Sequence, residues 1–178
     1  MKCSICNEEI SNLNAFHVKK DKKLGFIDDV ILCKNCWYKK RDEIAALNNY
    51  DLVVKYERLS KHFLSEKTVV LQGIVADQPQ MFAWGSVPPA GASQRFIYIF
   101  PMITEKIIPI SGDINEISIK ENEIIMVEFD HATYLNKDNH IEVQGTFKPR
   151  VYKNAKSLGF IFKAKKVFNL TYNYSRDY

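Results

Sequence analysis

The sequence predicts an α+β fold in which a small metal-held segment and a helical connector precede a mainly antiparallel β-barrel. Three observations predict it. Four cysteines stand as two C-x-x-C pairs within the first 36 residues, and an apolar stripe at helical spacing runs from Leu52 to Phe63. Segments rich in β-branched residues then recur from Lys67 to Leu170. The chain has 178 residues, 46% hydrophobic and 26% charged, which suits one ordinary domain carrying a small appendage.

All four cysteines lie in the pairs Cys3/Cys6 and Cys33/Cys36, with 26 residues between the pairs. A thiolate is a soft ligand, and Zn²⁺ takes four of them in a tetrahedron. Two residues between ligands let one tight turn present both sulfurs to one ion. The ion then replaces the core that so short a segment cannot build. Disulfides are the main rival; they need an oxidising compartment, and Met1-Lys2-Cys3-Ser4 opens no apolar signal region. A redox C-x-x-C usually opens a helix within a βαβ pattern, which residues 1–36 do not show. The expectation is one structural zinc ion held by Cys3, Cys6, Cys33 and Cys36, with His17 an ordinary surface histidine.

The flanking residues add detail. Cys3-Ser-Ile-Cys6 is followed by Leu13-Asn14-Ala-Phe16, a charged stretch from Lys19 to Asp29, and Val30-Ile-Leu-Cys33-Lys-Asn-Cys36. This resembles a treble-clef-like zinc finger of many bacterial proteins. The resemblance implies a first knuckle, a strand, a hairpin and a second knuckle that opens a helix. It covers residues 1–40, and the charged stretch is longer than usual for that family. With its helix, the finger is expected to occupy residues 1–48.

Residues 49–66 read as a helical connector. Trp37, Ile44, Ala45 and Leu47 keep a helical period up to the break at Asn48-Asn49. Asp51 is the expected N-cap of a second helix. Its stripe of Leu52, Tyr56, Leu59 and Phe63 is expected to pack onto the neighbouring domain or to meet a partner.

From residue 67 to 172 the signals are strand signals, with 173–178 left as a tail. Val69–Ala76, Arg95–Phe100, Glu123–Tyr134, His140–Arg150 and Gly159–Leu170 read as strands without long helices between them, which indicates a barrel or sandwich. Thr68-Val-Val-Leu-Gln-Gly73-Ile-Val-Ala and Ile141-Glu-Val-Gln-Gly145-Thr-Phe share an apolar-x-apolar-x-Gly pattern. Glycine at such a point permits the bend or bulge that curls a strand into a small barrel. These segments resemble the OB-fold, so the barrel is expected to be OB-like. That resemblance implies binding of single-stranded nucleic acid through exposed aromatics and a basic groove.

Candidate residues for such a surface follow. Phe96, Tyr98 and Phe100 share one strand face, opposite Arg95, Ile97 and Ile99; whichever face is outside decides whether a stacking platform exists. Lys148, Arg150, Tyr152, Lys163 and Lys165 interleave charge with an aromatic ring, as a phosphate track or as solvated lysines. Trp84 lies in the expected loop 78–93, which an OB-fold places beside its ligand. Net charge is +4, split as +3 over residues 1–67, −5 over 68–136 and +6 over 137–178.

No nucleotide-binding glycine loop, metalloprotease or nucleophile-elbow motif occurs. Asp130-His131 are adjacent strand residues that point to opposite faces. No run approaches the roughly 18 apolar residues of a membrane helix. The expected protein is cytoplasmic, zinc-binding and not an enzyme, and it binds single-stranded DNA or RNA. The alternative is a protein-interaction or assembly scaffold that uses the connector helix and the 78–93 loop. A hydrolase or nuclease is a third and weaker reading.

Overall fold

A computed structural model describes residues 1–84, 95–110, 122–131, 134–150 and 159–177. The chain divides into two compact units. Met1–Ser65 make the body of the first, and Phe160 from later in the chain joins its core.

In the first unit, β1 (Ala15–Val18), β2 (Val30–Cys33) and β3 (Ser60–His62) form an antiparallel sheet of order β2-β1-β3. Two helices, α1 (Lys34–Ala45) and α2 (Tyr50–Leu59), complete the unit. The core is aromatic. Trp37 and Tyr56 are fully buried and stacked with centroids 5.3 Å apart. Tyr56 also stacks on Phe26 at 6.2 Å, and Phe16 meets Trp37, His62 and Phe160. Each buried polar atom of these rings is paired. The Trp37 indole donates to Ser60 Oγ at 2.8 Å, Ser60 Oγ donates to the Tyr56 carbonyl at 2.7 Å, and the Tyr56 hydroxyl donates to the Trp37 carbonyl at 3.1 Å.

Two local expectations change here. The N-cap of α2 is Asn49, whose side chain accepts from the Leu52 amide, and Asp51 lies one step inside the first turn. Asn competes equally well for that position, and Asp51 still favours the positive end of the helix. The stripe of α2 also stops at Leu59, because Ser60 turns extended to pair with β1. Tyr56 is a core residue of this unit, so no partner can reach its ring.

The second unit comprises Glu66–Phe147 and Ile161 onward. Its sheet uses β4 (Val69–Val75), β5 (Gln80–Trp84), β6 (Arg95–Pro109), β7 (Glu123–Phe129), β8 (His140–Arg150), β9 (Gly159–Asn169) and β10 (Tyr174–Asp177). Five of them close into a barrel, in the order β9-β7-β6-β4-β8 and back to β9. The β4–β6, β4–β8 and β6–β7 pairs are antiparallel, while β7 and β9 run parallel. Leu71, Phe100, Met102, Val127, Phe129, Ile141, Val143 and Phe162 fill the interior. Full burial of one such side chain contributes about 1.5–3 kcal/mol.

The two glycines singled out in the sequence close this barrel. A Cβ on Gly73 would stand 1.9 Å from the Ile103 carbonyl oxygen, and the β4–β6 register slips between Gln72 and Gly73. A Cβ on Gly145 would stand 2.1 Å from the Lys163 carbonyl oxygen. In both places another strand's backbone occupies the space a side chain would need.

Other boundaries differ from expectation. The 78–93 segment carries β5 at Gln80–Trp84, paired antiparallel with β6. β6 runs on to Pro109, because β7 pairs with it over Tyr98–Thr104 and β4 takes over from Met102 to Pro109. Tyr174–Asp177, expected as a tail, pair with β9. Among the described residues no helix is long and apolar enough to cross a membrane.

Candidate metal centre and binding surface

Cys3, Cys6, Cys33 and Cys36 converge, with all four sulfurs within 4.8 Å of one another. Cys6 and Cys33 Sγ are 3.8 Å apart. A tetrahedron with metal–sulfur bonds of about 2.3 Å has edges of about 3.8 Å, whereas a disulfide needs about 2.0 Å. All four cysteines are free. The donor set and spacing therefore fit one tetrahedral metal ion.

Local structure presents the ligands. The first knuckle turns at Asn7, which adopts a positive φ of 61° while its amide donates to the Cys3 carbonyl. The Ser4 amide donates to the Ile31 carbonyl and the Ile31 amide to Ser4 Oγ, which fastens this knuckle to β2. Cys33 ends β2 and caps α1, accepting from the Cys36 amide at 3.4 Å. Both second-pair sulfurs thus stand at a helix N-terminus, where partial positive charge favours thiolates.

The electrostatics point the same way. Burial pushes the Cys3 thiol up, but amides of Cys6, Cys33 and Ile5 outweigh it and hold it at about 6. Burial, and then the neighbouring thiols, push Cys36 well up. Four sulfurs this close cannot all ionise by themselves; a cation among them removes the conflict. His17 is exposed on β1 and is not among the clustered donors.

Sequence reasoning missed how the charged stretch between the knuckles folds. Asp21 caps a short turn at Lys22–Leu24 and is bonded by Lys55, whose hydrogen bond holds the Asp21 carboxyl below its usual range. The turn buries Leu24 and lays Phe26 on Tyr56. The lysine pairs at 19–20 and 22–23 hid these two apolar anchors.

The candidate nucleic-acid residues do not form one surface of rings and cations. Phe100 is fully buried opposite Val127 and belongs to the barrel core, so it leaves the stacking set. Tyr98 and Phe96 are half-buried further along the same strand, and the Tyr98 hydroxyl reaches Met81 Sδ at 3.3 Å. Ile99, on the opposite face, is also buried. Burial therefore fades along β6 toward Arg95 instead of alternating between its faces.

Lys163 bonds Asp130 at 2.9 Å and approaches Glu128 at 3.7 Å, so two carboxylates already face its charge. The same contact takes Asp130 out of any acid–base pairing with His131, which packs on Phe129. Lys148 and Lys165 are exposed. Trp84 pairs through its backbone with Arg95. Arg150 ends β8, and Tyr152 lies outside the described residues.

β5 is a strand where the sequence suggested a loop. Met81 and Phe82 are 56% and 46% exposed on successive residues, hence on opposite faces of one strand. No known protein family and no curated protein matches the chain.

Proposed function

We propose that this protein is a zinc-stabilised, non-enzymatic binding module with an OB-like barrel, and that its ligand is another protein chain. Zinc is the reading of the all-sulfur, tetrahedrally spaced donor set. The OB-like reading is supported by strand order. Numbered along the barrel, β4, β6, β7, β8 and β9 neighbour one another as 1-2-3-5-4-1, with the third and fifth parallel. A fold of this kind hosts many ligands, so the surface has to select among them.

The observation that carries the protein reading is the ribbon of β5 and the first half of β6. Met81 and Phe82 are exposed on its two faces, with half-buried Phe96, Ile97 and Tyr98 beside them. From Phe82 to Trp84, opposite Arg95 to Ile97, the described sheet is only two strands wide, and such a ribbon end with apolar residues exposed is marginal in water and gains by being covered. Half-exposed Phe96 and Tyr98 also support the second reading, single-stranded nucleic acid, in which bases stack on these rings and Lys148 and Lys165 face phosphates. The carboxylates of Glu128 and Asp130 against Lys163 favour protein over phosphate.

Titrating the zinc-loaded chain into labelled single-stranded DNA and RNA, read by anisotropy, separates the two. The protein reading expects no binding even at low salt. Tight binding that weakens steeply with salt would overturn it, because neutralised phosphates release counterions.

A further inference from the structure

Edges of sheets are where chains add to one another, and folded proteins guard them with charge or cover. The other described edges here follow that rule. The knuckle covers β2 through the two Ser4–Ile31 hydrogen bonds, β3 carries Lys61, and β10 carries Arg176 and Asp177. β5 does not follow it. Its sequence, Gln80-Met-Phe-Ala-Trp84, holds no charge and no proline, and among the described residues it pairs with β6 alone.

We infer that β5 pairs with β5 of a second copy of this chain, antiparallel across a two-fold axis, joining two barrels edge to edge. This rests on the protein-contact reading above and names the partner. The absence of charge makes this strand self-complementary, which fits a second copy. In a two-fold pairing the central residue faces its own duplicate, and like charges opposite each other destabilise. β5 has nothing to repel.

Geometry also fixes the register. A two-fold axis normal to the sheet keeps every side chain on its own face, and facing residues of an antiparallel pair share a face. The two facing residue numbers must therefore both be even or both be odd. Only one such register overlaps all five residues. It sets Phe82 opposite Phe82 of the second copy, Met81 opposite Ala83 and Gln80 opposite Trp84. Shifting to the next permitted register leaves three facing residues. An apolar aromatic residue lies at the symmetry centre, where an aromatic pair is favourable.

The register makes a test that a general hydrophobic contact does not pass. Sedimentation of the full zinc-loaded chain over a concentration series is expected to show a monomer–dimer equilibrium. Phe82→Lys and Phe82→Glu each place like charges face to face and are expected to be monomeric. Mixed in equal amounts, they face opposite charges and are expected to form the dimer again. Phe82→Thr keeps a strand-forming residue and is expected to weaken the dimer should a charged variant fail to fold.

A dimer indifferent to all three substitutions overturns the inference. So does failure of the mixture to reassociate when both charged variants are folded. A wild-type chain that stays monomeric at every concentration also overturns it. If that monomer still binds a different protein through the ribbon, the protein reading stands and self-pairing alone has failed.

Discussion

At the scale of single residues, the cysteines and His62 show how much chemistry depends on surroundings. Cys3 and Cys36 are the same thiol in one cluster, yet amides hold one down to about 6 while burial drives the other up. The C-x-x-C spacing was legible because ligand geometry is local to each knuckle. His62 was not legible, since the expected helical stripe runs past it to Phe63, whereas the residue lies in β3. It is buried, with Nε2 bonded to the Leu13 carbonyl at 2.8 Å and Nδ1 accepting from the Leu64 amide at 3.1 Å. Those partners require the neutral Nε2–H form.

Burial accordingly lowers the His62 pKa from 6.5 to about 4. As pH falls, the unfolded chain takes this proton first. The stability associated with neutral His62 is full above the unfolded value and declines as pH drops toward about 4. The window spans about 3 kcal/mol at most. Thermal melts of wild type and His62→Gln across this range check it. Wild type is expected to lose more stability toward acid than the variant, and parallel curves would contradict the assignment.

At the scale of elements, α1 and α2 are joined by a buried ion pair. Arg41 Nε bonds Glu57 Oε1 at 2.7 Å, with the side chains 9% and 3% exposed. The sequence pattern marks neither residue, because burial of a charge depends on a partner 16 positions away. Among the described residues, Glu57→Ala leaves buried Arg41 with only the exposed Asp42 carboxylate at 3.7 Å and is expected to cost about 3 kcal/mol. Replacing both with apolar residues of similar size is expected to cost much less. Denaturant unfolding of the single and double variants measures the difference, and equal losses would show that the pair is not coupled.

Strands were legible where one face is core, as in β4, whose burial alternates along its length. They were less legible where both faces are apolar. In β6, Phe100 and Ile99 are both buried, so alternation was absent and the outward face was undecidable. β5 was hidden for another reason. It lies beside a proline- and glycine-rich run, and its pairing depends on β6 rather than on its own pattern.

At the scale of the whole molecule, two units rest on different physics. The barrel closes on itself through five strands and a continuous apolar interior. The first unit has a small aromatic core and four converging thiols. Binding a structural zinc contributes about 10–16 kcal/mol in small metal-held domains, as much as the roughly 5–15 kcal/mol that is the entire stability of an ordinary domain. On this basis a metal at Cys3, Cys6, Cys33 and Cys36 is expected to hold the first unit folded, while the barrel does not need it.

Amide hydrogen exchange of the intact chain, before and after chelation, distinguishes the two units. The expected result is loss of protection through β1, β2 and α1, with β4 and β6 to β9 still protected. Unchanged protection in the first unit after the metal has left would contradict a metal-held fold.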